Sequence, residues 1–397
     1  MDLSYSPSDE AFRKELRAWL EREVPRHGPV PKGGDPEARR AYDTAWQRKL
    51  CDAGYAGMGW PVEFGGRGAS LGEQLVYYEE TARARAPYIG ANFIGVAHGG
   101  PTLIAEGTPE QKAFFLPAIL RGEHVWCQGF SEPGAGSDLA ALRTRAERVG
   151  GEYVVTGHKI WSTRAHMADY CELLVRSDPG ARAHQGISWL ILPMRQPGVE
   201  VRPLPTLEGE GHFCEVFLNG ARVPVANRVG AEHDGWRVAN VTLRFERGTG
   251  FAQHIIALRA QLAKLASLAQ RLARPGARAL WSDPALRAAL GRLDAEVDAL
   301  WRLTQMCVSE AERTGLPALV GSAVKLRYSE LYQSIGELSM RVLGRGGLGA
   351  ADFAELPGEE MLHDYLWSLQ FTISGGTSQI QRNIIGERIL GLPREPR

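Results

Sequence analysis

The stretch from Gly235 onward constrains this chain most, because it reads as helices far longer than the usual globular helix. One helical pattern runs from about 236 to 273 and stops near Pro275-Gly276. A second opens at Asp283-Pro284, an N-cap followed by proline, and stops at Gly315. A third runs from Pro317 to Gly344, and two shorter helices, near 358–370 and 378–390, finish the chain. Helices of this length with short connections must bury their apolar stripes against one another, so they predict an antiparallel bundle.

The residues before the bundle divide in two. The first third is helical: Phe12, Leu16, Trp19 and Leu20 recur at helical spacing behind a Ser/Pro/Asp/Glu start. Residues 54–70, rich in glycine and aromatics, predict a packed loop between helices, and Thr108-Pro109-Glu110 predicts a capped helix start. From Glu123 the texture changes to short β-rich runs bounded by Gly and Pro, among them HVWCQGF, EYVVTGHKIW and ISWLILPM. These predict a compact β domain. The expected architecture is α+β and multidomain: an N-terminal helical domain (1–122), a central β domain (123–232) and a C-terminal helical bundle domain (233–397).

Composition narrows the function. Lys+Arg and Asp+Glu both total 46, so the net charge is zero and a nucleic-acid partner is not expected. No apolar run is long enough to span a bilayer, and the charged, amphipathic start lacks the features of a signal peptide. A cytoplasmic protein without a membrane partner is the expectation. The five cysteines are scattered with no CxxC pair, and the histidines form no HExxH, so no metal site is expected. There is no GxSxG elbow. Gly344–Gly349 matches GxGxxG, but a helix precedes it where a dinucleotide fingerprint needs a strand.

Three segments carry candidate chemistry. Gly129-Phe130-Ser131-Glu132-Pro133-Gly134-Ala135-Gly136-Ser137-Asp138 follows a strand and offers backbone N–H groups with little side chain in the way. An ordinary β-turn fits the same residues. Gly157-His158-Lys159-Ile160-Trp161-Ser162-Thr163 places an indole able to stack on a flat ring near a hydroxyl. Taken alone, Trp161 fits a core aromatic better. In Ile373-Ser374-Gly375-Gly376-Thr377-Ser378-Gln379-Ile380-Gln381-Arg382, a Gly-Gly turn leads into a helix capped by Thr377 or Ser378. That arrangement suits a phosphate or carbonyl oxygen, and equally a plain N-cap.

Together, in this order, the SEPGAGSD, HKIWST and GGTSQIQRNIIGER runs resemble the acyl-CoA dehydrogenase family of flavoenzymes. The resemblance covers nearly the whole chain, and it implies that the central domain is β-barrel-like and the C-terminal bundle a four-helix bundle. It implies FAD held noncovalently between the β domain and the bundle, in a tetramer built as a dimer of dimers. By match to the family motif, Phe130, Ser131, Trp161 and Thr163 face the flavin, and Thr377 and Gln379 approach FAD from the C-terminal segment. Ser137 falls at a contact to the CoA thioester, and Arg247 at an arginine near the substrate entrance. The reaction implied is α,β-dehydrogenation of an acyl-CoA, with a carboxylate taking the α-proton and hydride passing to flavin N5. An electron-transfer flavoprotein is the implied acceptor.

The sequence departs from the family at two places. The usual base is a Glu immediately before the Gly-Thr of the last segment, and this chain has Gly375 there. Some branched-chain and long-chain members instead place the base on the first bundle helix, and Glu246-Arg247 matches that arrangement. Glu246 is therefore the expected base, while the main chain of Gly375 and Gly376 still serves the substrate. Removing a side chain at 375 and bringing the base from elsewhere leaves room for a branched or bulky acyl group, a steroid side chain among the candidates. Second, the Arg-x-x-Phe-Gly that reaches the adenine half of FAD is replaced by LARPGARALWSDPALR, and Arg341 stands at a usual Gln. Arg287 and Arg341 are the remaining candidates for the pyrophosphate. These losses are similar to those of heterotetrameric members, so the expected assembly is a homotetramer or a heterotetramer with a related chain. The alternatives are a catalytically silent or FAD-sharing subunit, a flavin-dependent acyl-CoA oxidase, or an acyl-carrier-protein dehydrogenase.

Overall fold

The computed structural model describes residues 4–31, 34–207, 209, 211–245, 250–272, 279–314, 320–344 and 358–394. The chain divides into two compact units. One gathers Met1–Ala18, Leu71–Ala84 and Arg247–Arg397, the other Trp19–Ser70 and Arg85–Glu246. Helix α1 (Pro7–His27) contributes to both, and starts where Ser6 and Asp9 exchange hydrogen bonds: the Asp9 N–H donates to Ser6 Oγ, and the Ser6 N–H to Asp9 Oδ2.

In the first unit, α3 (Leu71–Arg83) packs on α7 (Gly250–Arg271) and α8 (Pro284–Thr314), and α9 (Gly321–Leu343) packs on α7, α8 and α10 (Gly358–Ser368). The helix expected over 236–273 is thus described as two pieces, Gly235–Phe245 and Gly250–Arg271. The two later long helices lie close to their expected bounds. Asp283 accepts the Ala285 N–H ahead of α8, as an N-cap does. Leu258, Leu262, Leu265, Val297, Leu300, Leu331 and Ile335 form one continuous core, spaced by threes and fours along each helix. Glu80 of α3 is buried beneath Arg13, Arg17 and Arg83. Burial opposes its ionisation, but hydrogen bonds from Arg17, Arg83 and Arg13 outweigh it and hold the carboxyl at about 2.

The second unit is built on an eight-stranded sheet with the order β6-β7-β3-β2-β4-β5-β8, and β1 added parallel to β4. The strands are β1 (Trp126–Gly129), β2 (Arg145–Val149), β3 (Glu152–Thr163), β4 (Tyr170–Arg176), β5 (Ile187–Pro193), β6 (Val199–Leu204), β7 (Phe213–Pro224) and β8 (Arg228–Val229). Inward residues such as Val155, Leu173, Leu190, Val216 and Ala221 fill its core. Helices α2 (Pro36–Asp52), α4 (Gly100–Glu106), α5 (Pro109–Leu120) and α6 (Gly235–Phe245) belong to this unit. Thr108 and Gln111 form a capping box at α5, matching the start seen in sequence. The 54–70 loop is packed, with Tyr55, Met58 and Trp60 buried. A Cβ at Gly100 would lie 2.0 Å from the Trp60 ring, so only glycine lets α4 approach it. Cys127, Cys171 and Cys214 are buried, and all five cysteines are free thiols.

Candidate functional site

In the sheet unit the site begins where β1 ends. The loop after Gly129 is held by a buried ion pair. Glu132 Oε1 accepts from Lys159 Nζ at 2.8 Å and from the Thr144 N–H at 2.9 Å, and its Oε2 accepts the Arg143 N–H at 2.7 Å. Lys159 has no solvent exposure and also donates to the Phe130 carbonyl at 3.1 Å. Burial raises the Glu132 pKa, yet Lys159 and the main-chain donors more than compensate, leaving it below the ordinary carboxylate value. Burial also lowers the Lys159 pKa, with Glu132 acting against that trend.

This pinning orients the loop. The Ser131 carbonyl accepts the Ile160 N–H at 3.0 Å, and the Phe130 carbonyl is turned onto Lys159. A trans peptide sets its N–H opposite its carbonyl, so the Ser131 N–H points away from the buried lysine. Phe130 is buried and Ser131 half-buried, while Ser137 sits on the exposed tip of the loop. Cβ atoms at Gly134 and Gly136 would meet nothing, which leaves open space beside the main chain there.

Trp161 corrects the expectation of a core aromatic. Along β3, Tyr153, Val155 and Lys159 face inward at odd positions, and simple alternation would send Trp161 inward too. A bulge between Lys159 and Ser162 changes the phase. Ser162 takes the buried position, and Trp161 turns out with φ +63° and is 56% exposed. Thr163 lies half-buried two residues on. An L-residue held at positive φ is strained, and such strain clusters at functional sites.

In the helical unit the third candidate segment is the turn before α11 (Ser378–Ile384). Gly375 and Gly376 have φ +63° and +87°, which explains why both are glycine. Of the two candidate caps, Thr377 acts: its Oγ1 accepts the Ile380 N–H at 3.2 Å. The turn carbonyls face the protein. Lys325 Nζ, from α9, donates at 2.7 Å to the carbonyls of both Phe371 and Gly376, and Gln381 Nε2 donates to the Gly375 carbonyl at 2.9 Å. The peptide N–H groups of Gly376 and Thr377 consequently point the other way. Gly375 and Gln379 are exposed. A Cβ at Gly375 would meet only Lys325 Cε, at 3.8 Å.

Sequence reasoning named the loops but not what holds them. Lys159, Lys325 and Gln381 were missed. Lys159 had a detectable signal, since it falls on the inward phase of a strand, where an unpaired lysine is not tolerated. Glu246 and Arg247 lie outside the described residues, as do Arg345–Ala350 of the glycine-rich stretch. Of the candidates for the far end of the cofactor, Arg287 donates to the Trp281 carbonyl, and Arg341 is exposed near the end of α9. Among the described residues no cluster of ligating side chains suits a metal ion, and no helix is long and apolar enough to cross a membrane.

The described residues form N-terminal helices, a central sheet and a helical bundle, with a glycine-rich loop and an outward Trp161 in the sheet unit and a Gly-Gly turn in the helical unit. The chain belongs to the acyl-CoA dehydrogenase family. The family's N-terminal, middle and C-terminal domains match residues 6–123, 127–221 and 233–390. It is 40% identical over 392 residues to acyl-CoA dehydrogenase IpdE1 of Mycobacterium tuberculosis, covering 97% of this chain and 98% of that protein. The ChsE4-ChsE5 complex from Mycobacterium tuberculosis superposes with a TM-score of 0.86 at 34% identity, covering 100% of both chains. The Tcur3481-Tcur3483 steroid ACAD superposes at 0.83 with 30% identity, again over 100% of both. The chain is an acyl-CoA dehydrogenase, an oxidoreductase acting on CH–CH bonds, and its cofactor is FAD.

Proposed function

We propose that this dehydrogenase acts on a branched or bulky acyl-CoA, with a steroid-derived acyl group the leading class, and that Glu246 is its base. The observation that carries this reading is Gly375. The position where the family usually carries its base has no side chain, is exposed, and has a positive φ that favours glycine. A base must then come from another element, and Glu246, directly after α6, matches the family's alternative arrangement. The space left at 375 suits a wide acyl group. The similarity to a steroid ACAD supports the same substrate class.

The residues present fit FAD. Trp161 stands clear of the core to lie against a ring, Thr163 follows it by two residues, and the loop of Phe130 and Ser131 is tied to its neighbour Ile160 by the Ile160 N–H to Ser131 carbonyl bond. Thr377 and Gln379 contact FAD from the C-terminal turn. FAD, when bound, accepts the hydride from the β-carbon. The chain's own work is positioning and proton transfer. Glu246 removes the α-proton, which needs a carboxylate kept basic by exclusion of water. The Gly375 N–H, next to the outward N–H groups of Gly376 and Thr377, holds the thioester oxygen as negative charge grows there. Ser137 and Arg247 contact the CoA portion.

The partner reading is a second, related chain. The superposing complexes each pair two chains, and the sequence lacks the usual arginine and glutamine for the adenine half of FAD. An electron-transfer flavoprotein is the acceptor in this reading. Five free thiols fit a reducing, cytoplasmic compartment. The test is an anaerobic titration of the purified flavoprotein with a panel of acyl-CoAs, read at the flavin absorbance. Bleaching by ring-bearing or branched thioesters, lost in Glu246→Gln, is expected. Preference for short straight chains would overturn the substrate class. Bleaching that survives Glu246→Gln would overturn the base.

A further inference from the structure

The Gly375-Gly376 turn of the helical unit is clamped by one side chain. Lys325 Nζ donates at 2.7 Å to the Phe371 carbonyl and at 2.7 Å to the Gly376 carbonyl. The lysine is 2% exposed, and a Cβ at Gly375 would lie 3.8 Å from its Cε, so its stem runs along the inner side of the turn. A carbonyl oxygen only accepts, so Lys325 is the donor in both bonds whatever its protonation. The two carbonyls lie at either end of the turn and meet at a single nitrogen. Ser329, one helical turn further along α9 and fully buried, bonds the Phe371 carbonyl as well, at 2.8 Å.

The turn needs such a clamp because its own residues cannot fix it. Gly375 and Gly376 have no Cβ and take φ +63° and +87°, and glycine backbone is the freest to move. Gln381 Nε2 grips the Gly375 carbonyl at 2.9 Å and Lys325 grips the Gly376 carbonyl, so the peptides that carry the Gly376 and Thr377 N–H groups are both held on their carbonyl side. Among the described residues no acceptor takes the N–H of Gly375, Gly376 or Thr377. These main-chain donors are held in place and not used by the fold. Donors that stabilise a developing oxyanion work by being fixed before the charge appears. A misplacement of about 1 Å can cost on the order of 10²-fold in rate.

We propose that Lys325 is a positioning residue for removal of the α-proton. By fixing both ends of the 371–376 turn, it sets the N–H groups that hold the thioester oxygen as negative charge grows there. This rests on the reading above that the Gly375 N–H meets that oxygen. Two of the lysine's donors go to the protein and not to the substrate. Its loss therefore slows proton removal more than it weakens binding of the thioester.

The test uses the flavoprotein with whatever chain co-purifies, and cyclohexylthioacetyl-CoA as the probe. Its α-proton can pass to the base, with the C–H electron pair moving onto the thioester oxygen. Sulfur stands in place of the β-carbon, so no hydride follows and the flavin stays oxidised. The resulting enolate is read as a long-wavelength charge-transfer band, and exchange of the α-protons in D2O is followed by NMR. Calorimetry gives the Kd of the probe. In Lys325→Met the band per bound flavin at saturating probe and the exchange rate are both expected to fall about tenfold or more. The Kd should change far less. Lys325→Gln, a milder change for a buried position, should fall in the same direction and serves where the methionine variant is not recovered folded. Ser329→Ala removes a bond to Phe371 but leaves the lysine clamp, so the band and exchange should stay near wild type. An undiminished band in the lysine variants overturns the inference. So does a loss explained wholly by weaker binding, or an equal loss in Ser329→Ala, which would mark general loosening of the turn. If the wild-type protein binds the probe with neither band nor exchange, the reading of Gly375 at the thioester oxygen falls, and the inference falls with it.

Discussion

At the scale of single residues, Gly375 and Glu246 form one question. Glu246→Gln keeps shape and removes the base, so flavin reduction by bound acyl-CoA is expected to slow on the order of 10²–10⁴-fold. Flavin content should be unchanged. Gly375→Glu added to that variant returns a carboxylate to the family's usual place. The site has room, since an added Cβ meets only Lys325 Cε at 3.8 Å. The positive φ costs about 1–2 kcal/mol, which lowers stability without closing the position. Partial recovery of flavin reduction in the double variant is expected by stopped-flow. A folded, flavin-loaded double variant with no recovery would show that position 375 does not face the α-carbon. A second residue governs acid sensitivity. His254 of α7 is half-buried beside Tyr328 and Phe371, and desolvation lowers its pKa to about 4. The unfolded chain takes up this proton near 6.5. Between those values the unfolded state binds more protons, so stability falls as pH drops from about 6.5 toward 4. The loss is on the order of 3 kcal/mol across that window. Denaturant titrations of His254→Phe should show a flatter pH dependence there.

At the scale of elements, β3 decides both what the site can do and how much of it the sequence disclosed. Long capped helices and the start of α5 were legible because caps and apolar spacing are local signals. The outward turn of Trp161 was not, because a bulge is set by pairing with β7, a partner 50 or so residues away in sequence. The glycine-rich loops were legible as loops, whereas their anchoring lysines were hidden by distance along the chain. Lys325 lies 51 residues from the Gly376 carbonyl it holds. The clearest test of anchoring is Lys159→Met. It leaves the buried Glu132 without its ammonium partner and frees the Phe130 carbonyl. A cost of about 3–5 kcal/mol is expected, together with weaker flavin retention. Combining it with Glu132→Gln removes the uncompensated charge, so part of the stability should return while flavin retention stays low. Thermal unfolding and the flavin-to-protein ratio read the two effects separately. Equal recovery of both would mean that the ion pair supports the fold without orienting the loop.

At the scale of the whole molecule, the proposed need for a second chain rests on the far end of the cofactor, where the sequence does not carry the Arg-x-x-Phe-Gly and Gln that the family resemblance implies. Arg287 turns back onto the Trp281 carbonyl, and Arg341 is exposed near the end of α9. The complexes that superpose on this chain each contain two different proteins. A related chain that supplies the missing contacts resolves the mismatch without changing any residue described above. Expressed alone, the protein should therefore be recovered with well under one FAD per chain and should lose it on dilution. Expressed with a related acyl-CoA dehydrogenase chain, it should form a mixed oligomer whose flavin content rises with the amount of complex. Light scattering with flavin absorbance reads mass and loading together. Full, dilution-stable FAD occupancy in a homotetramer would refute the need for a second chain. It would also require the adenine half to be held by residues outside the two arginines, and Arg287→Ala and Arg341→Ala would then leave retention unchanged.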